Sequence, residues 1–86
     1  MADDKRADLT PLKSALAVLV TCIVQTLNES DQSFETRFLE RLALAYRERR
    51  DDPAVDLNEL EALAWTRDLL TGFSFVSGEG KPFLKD

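Results

Sequence analysis

The sequence predicts an all-α fold: a three-helix bundle with helices over about 11–28, 31–50 and 57–71, a disordered N-terminal tail and an extended C-terminal arm. Three observations predict it. Apolar residues recur three and four positions apart in three separate segments, the spacing that lines one side of an α-helix. Each segment opens on residues that cap or start helices and closes on residues that stop them. The apolar fraction of 44% is ordinary for a globular protein, so the body of the chain is expected to be ordered.

Residues 1–8 (MADDKRAD) are charged and lack apolar periodicity, which reads as a flexible tail ahead of a single helical domain over 9–86. Thr10-Pro11 is a helix start: threonine can cap the first amides, and proline suits the first turn, where its missing N–H costs nothing. From Ala15 to Val24 only Thr21 is polar. On a helical wheel Leu12, Leu16, Leu19, Val20, Ile23 and Leu27 share one broad face, flanked by Val18, Cys22 and Val24. This is more apolar surface than one small bundle requires of a helix, so the first helix is expected at the centre, with a surplus face left for association. The run reads as too short and too interrupted by Lys13, Thr21, Gln25 and Thr26 to span a membrane.

Glu29-Ser30-Asp31 supplies turn and capping chemistry for the second helix, in which Phe34, Phe38, Leu42, Ala45 and Tyr46 recur at helical spacing beside Leu39. Arg47, Arg49 and Arg50 close it, complementing the negative end of the helix dipole. Asp51-Asp52-Pro53 stops it, because proline disfavours helix at the residue before it.

The third start is the clearest. Asp56 is a good N-cap, Glu59 stands at the capping-box position, and Val55 and Leu60 occupy the places of a hydrophobic staple. Gly72 is positioned to end the helix in the left-handed conformation. Leu57, Leu60, Leu63, Ala64 and Leu70 form one apolar face of this helix, and Ala62, Trp65, Leu69 and Phe73 form another. Two apolar faces imply two neighbours. Beyond Gly72, Phe73 and Phe75 alternate with Ser74, Ser77 to Gly80 forms a turn, and Pro82 argues against a central strand. An arm laying Phe75, Val76, Phe83 and Leu84 on a helical surface is the favoured reading; a small hairpin is the alternative.

Composition narrows function mainly by exclusion. At 86 residues there is one core, and a chain of this size buries only about 60–65% of its unfolded surface. Cys22 is the only cysteine, so no intrachain disulfide can assist, and there is no histidine to ligate zinc or shuttle protons near neutral pH. Oligomerisation is the aid that remains. A net charge of −5 disfavours nucleic acid and anionic membrane as partners. The third helix carries one arginine against several carboxylates, which also fails a helix–turn–helix reading. No signal peptide is read at the start, and a lone cysteine fits a reducing compartment, so a cytoplasmic location is expected.

The remaining constellations favour structural readings. The Arg47/Arg49/Arg50 group could bind phosphate, yet acidic residues follow it at once. Glu59, Glu61 and Asp68 alternate with leucines as a solvent face does, so no metal is expected. Gly78-Glu79-Gly80-Lys81 is too short for a phosphate loop, and no cofactor is expected. Cys22 lies in the most apolar stretch, which points to inert packing. Trp65 is the best interaction anchor, since tryptophan concentrates binding energy at interfaces.

The functional expectation is therefore a non-enzymatic protein–protein interaction or regulatory protein that acts by occupying a partner's surface, as a homodimer. Its candidate interface is Leu16, Val20, Ile23, Val24, Trp65, Leu69, Phe73 and Phe75. One alternative is a structural subunit of a larger assembly. The other is a small enzyme subunit, which predicts a polar pocket around Arg41, Tyr46 and Glu48.

Overall fold

Three α-helices, α1 (Thr10–Ser30), α2 (Phe34–Arg50) and α3 (Leu57–Thr71), pack against one another in a computed structural model that describes residues 8–72 and 82–84. No strand occurs among the described residues. Of the expected tail only Asp8 lies within them, and Phe73, Phe75, Val76 and the Ser77–Gly80 turn fall outside.

The helix starts differ from the simplest reading in two places. Thr10 is already helical and Leu9 is the N-cap residue; the carboxylate of Asp8 accepts the Thr10 amide at 3.0 Å instead. Asp31 does not open α2. Its carboxylate accepts from the amide and hydroxyl of Ser33 at 3.0 and 2.8 Å, which folds residues 31–33 into a turn and moves the helix start to Phe34. The first turn of α2 is held from outside, where Asn28 of α1 accepts the Glu35 amide at 2.9 Å. The start of α3 is as expected: the Asp56 side chain accepts the Asn58 amide at 2.8 Å. Glu59, however, turns its carboxylate towards Arg49. Gly72 ends the helix at φ 81°, where a side chain would clash with the following carbonyl.

The larger correction concerns the middle of the bundle. α3 is the most completely covered helix, while α1, expected to be buried at the centre, packs on both other helices and keeps one long side exposed. Only Leu57, Glu61 and Thr71 of its residues are exposed, and it packs on α1 with one side and α2 with the other. This is the physical meaning of its two apolar faces. α1 presents Lys13, Ala17, Thr21 and Val24 as its buried residues. Ala17 and Thr21 are small, so the α3 backbone can approach closely, and long leucines would hold it away. α2 contributes no fully buried residue; Phe34, Phe38, Leu39, Leu42 and Tyr46 are half-buried, and Ala45, expected on its inner face, is exposed.

Two polar clasps fix the helices. The Lys13 ammonium, on a side chain buried against α3, donates to Asn58 Oδ1 at 2.8 Å and to Glu61 Oε1, and lies 5.1 Å from the centre of the Trp65 ring. Arg49 donates to both Glu59 oxygens at 2.5 and 3.2 Å and to Asp52 at 3.2 Å, joining the end of α2 to the start of α3. Residues 82–84 return to the bundle: the Phe83 amide donates to the Leu69 carbonyl at 2.8 Å, and Gln25 Nε2 donates to the Phe83 carbonyl at 2.6 Å.

Candidate interaction surface

Because α3 takes the small-residue side of α1, the leucine side is left open. Leu12, Leu16, Leu19, Ile23 and Leu27 are between 45% and 59% exposed. At about 100° per residue their direction lies roughly 110° around the helix from the buried set, too far for α3 to cover both. Val20 lies between the two sets and is half-buried. Residues 82–84 dock on Leu69 and on Gln25, which lies on the side of α1 away from the stripe, and the five side chains stay exposed.

The stripe is long and free of charge. From Leu12 to Leu27 it extends about 22 Å along the axis at roughly 1.5 Å per residue. Lys13, the only cation of α1, is directed into the bundle, and Glu29 lies past its far end. About half of each of the five side chains remains to be buried, worth on the order of 1 kcal/mol apiece.

At 21 residues α1 is also long and apolar enough, by length and composition, to cross a membrane, although one face of it is packed on α3. The helix is longer than the span of about 11–28 expected from the sequence, beginning at Thr10 and ending at Ser30.

The predicted interface residues separate in space. Leu16 and Ile23 lie on the open stripe, with Val20 at its edge. Val24 is 2% exposed and belongs to the core, because it falls on the side of α1 that meets α3. Trp65 is half-buried beneath the Lys13 ammonium, and Leu69 is half-buried under the returning chain at Phe83. Phe73 and Phe75 lie outside the described residues. Sequence reasoning missed Lys13, read as an interruption of an apolar run. The signal available was its offset from the leucine stripe, which places it on the side of the helix that a neighbour must cover.

The polar constellations resolve into ion pairs. Glu59 engages Arg49, Glu61 engages Lys13, and Asp68 accepts from Arg67 at 2.9 Å. Of the arginine group, Arg49 is bound to Glu59 and Asp52, and Arg50 lies 3.4 Å from Asp51. The guanidinium of Arg49 is held above its ordinary value first by its hydrogen bond to Glu59 and then by that carboxylate's charge. Arg41 and Tyr46 are not brought together: Tyr46 lines a groove between α2 and α3, whereas Arg41 lines a separate depression on α2, and Glu48 lines neither. The groove, of about 270 Å³, is mostly apolar, with Leu39, Leu42, Ala43, Leu63 and Ala64 as its walls and Arg67 at its margin. No residue of α1 lines it. Among the described residues no group of three or more acidic or cysteine side chains is placed to hold a metal ion.

Comparison with known proteins finds no matching family model, curated protein or solved structure.

Proposed function

We propose that this is a non-enzymatic binding or regulatory protein, a homodimer that acts by occupying a partner's surface. The observation that carries the reading is the α1 stripe: five large apolar side chains in a row, each about half exposed, on a small chain. Isolated exposed leucines need no explanation, but a contiguous apolar strip marks a surface that another molecule covers. Pairing through α1 leaves the apolar α2–α3 groove accessible, because no α1 residue contributes to it. A dimer would therefore carry two such grooves. The acidic charge disfavours nucleic acid as the partner, so the reading is of protein recognition.

The test is affinity capture from native extract with the full chain, run beside the stripe variant L16E/I23E and the groove variant L42E. Specific proteins recovered by the wild type and lost by one of the variants support the reading. Recovery indistinguishable from that of an unrelated acidic helical protein overturns it.

A further inference from the structure

We infer that the α2–α3 groove is a binding site for a small apolar monocarboxylate, a straight-chain acid of about eight carbons held with its carboxylate on Arg67. No α1 residue lines the groove, so the inference does not depend on what covers the α1 stripe.

The helical repeat makes the groove. Its α2 residues stand at positions 39, 42, 43 and 46, and its α3 residues at 63, 64, 67 and 71. Steps of one, three and four place each set on one face of its helix. The chain runs along α2 and returns along α3, with Arg49 and Glu59 joining the two near the turn, and the two faces become the walls of one trough. At roughly 1.5 Å per residue each wall is about 10–12 Å long.

Those dimensions suit one short ligand. The volume of about 270 Å³ equals roughly nine water molecules at about 30 Å³ each, room for about nine or ten non-hydrogen atoms. An eight-carbon acid has that many. Extended, its carbon chain is about 9 Å long with bonds near 1.5 Å, within the length of the walls. Leu39, Leu42, Leu63 and Ala64 give such a chain apolar contact from both helices.

The polar atoms of the walls set the charge of the ligand. Tyr46, Arg67 and Thr71 are the polar lining residues, and none of the lining residues is acidic. The Thr71 hydroxyl donates to the Arg67 carbonyl at 2.9 Å, within α3. Arg67 donates from Nε and Nη2 to one oxygen of Asp68, at 3.2 and 2.9 Å. A guanidinium carries five N–H groups, so the Nη1–Nη2 edge keeps donors for a bidentate grip on a carboxylate. The half-buried Tyr46 makes no hydrogen bond through its hydroxyl among the described residues, which adds a second donor. Uncommitted donors beside a mostly apolar trough are what orient an amphipathic anion. Apolar side chains of a protein would fill the same walls, but they bring no acceptor for these donors. Asp68 offsets part of the Arg67 charge and the whole chain carries −5, so a polyanion is repelled and a single carboxylate is the charge that fits.

The experiment titrates octanoate into the isotope-labelled full chain and follows the amide resonances, with octanol as the uncharged ligand of the same tail. R67M removes the cation and A43F fills the trough. Ala43 is exposed and the Arg67 side chain is 43% exposed, so circular dichroism should be unchanged in both variants. One octanoate per chain should bind with a Kd on the order of 0.1 mM, with shifts confined to the facing sides of α2 and α3. From hexanoate to octanoate, binding should tighten about two- to fourfold per methylene. R67M should weaken octanoate about fivefold or more and octanol less than about twofold, because only the acid uses the cation. A43F should weaken both about tenfold. The absence of saturation below about 5 mM overturns the inference. So do shifts centred on the α1 leucines, equal affinity for octanoate and octanol, or octanoate binding that neither variant alters. Such a failure leaves the protein-binding reading standing, because L16E/I23E tests that reading through α1.

Discussion

Lys13 of α1 places its ammonium 5.1 Å from the centre of the Trp65 ring of α3, while Asn58 and Glu61 on the same helix accept its protons. The cation is thus met by an aromatic face, a carboxamide and a carboxylate, all supplied by α3. The aliphatic stem of the lysine is buried in the contact, so its role combines packing with charge. This is why a charged residue can occupy the inner side of the most apolar helix.

Truncation and charge removal at this position should therefore separate. Lys13→Ala opens a cavity and leaves Asn58 without its donor, and should cost about 2–3 kcal/mol. Lys13→Met also removes the Asn58 donor but keeps the stem, and the half-exposed Glu61 returns to water, so the cost should fall to about 1 kcal/mol. Urea denaturation followed by the fluorescence of Trp65, the only tryptophan, measures both. Equal losses would show that the charge, and not the stem, holds α1 to α3.

Thr21 is fully buried, and its hydroxyl has no hydrogen-bond partner among the described residues. A hydroxyl removed from water without compensation costs roughly 1–3 kcal/mol, and valine has nearly the same shape. Thr21→Val is expected to raise stability by about 1 kcal/mol, read as an upward shift of the urea midpoint at unchanged slope. A loss of stability would mean that the hydroxyl is satisfied in solution, for example by a bound water.

Gly72 terminates α3 at φ 81°, with its amide donating to the Asp68 carbonyl at 2.8 Å. Any L-residue with a side chain pays about 1–2 kcal/mol for that conformation. Gly72→Ala should destabilise by that amount, and Gly72→Asn by less, because asparagine tolerates the left-handed region. Thermal unfolding of the three proteins ranks them; alanine and glycine melting together would contradict the cap.

Acid sensitivity should centre partly on the α1–α2 turn. The Asp31 carboxyl is held below its ordinary value of 3.8, first by the Ser33 hydroxyl and then by the Ser33 amide, with the Arg37 charge adding to them. A depressed carboxyl stabilises the fold above the unfolded value, and that contribution fades as pH falls through the lower folded value. Asp31→Asn should thus be less stable than wild type near neutral pH, and the difference should shrink below about pH 4. Denaturant midpoints at pH 7, 4 and 2.5 check the trend. A gap that stays constant with pH would place the effect outside Asp31 ionisation.

Much of this molecule is set along the chain. The three helices follow from local periodicity, from Pro11 and Asp56 at two starts, and from Gly72 at the third end, because capping and turn chemistry act over a few residues. The composition of the α1 surface is local too. Tertiary structure decided which side of α1 is hidden. The leucine side is the greasier one, yet α3 chose Ala17 and Thr21, where backbones can come close, and Lys13, whose charge finds Glu61. Apolarity alone ranks faces by how much they gain from burial. It does not record which face has the shape and the polar partners to receive a neighbouring helix, and that mismatch left the leucine row uncovered.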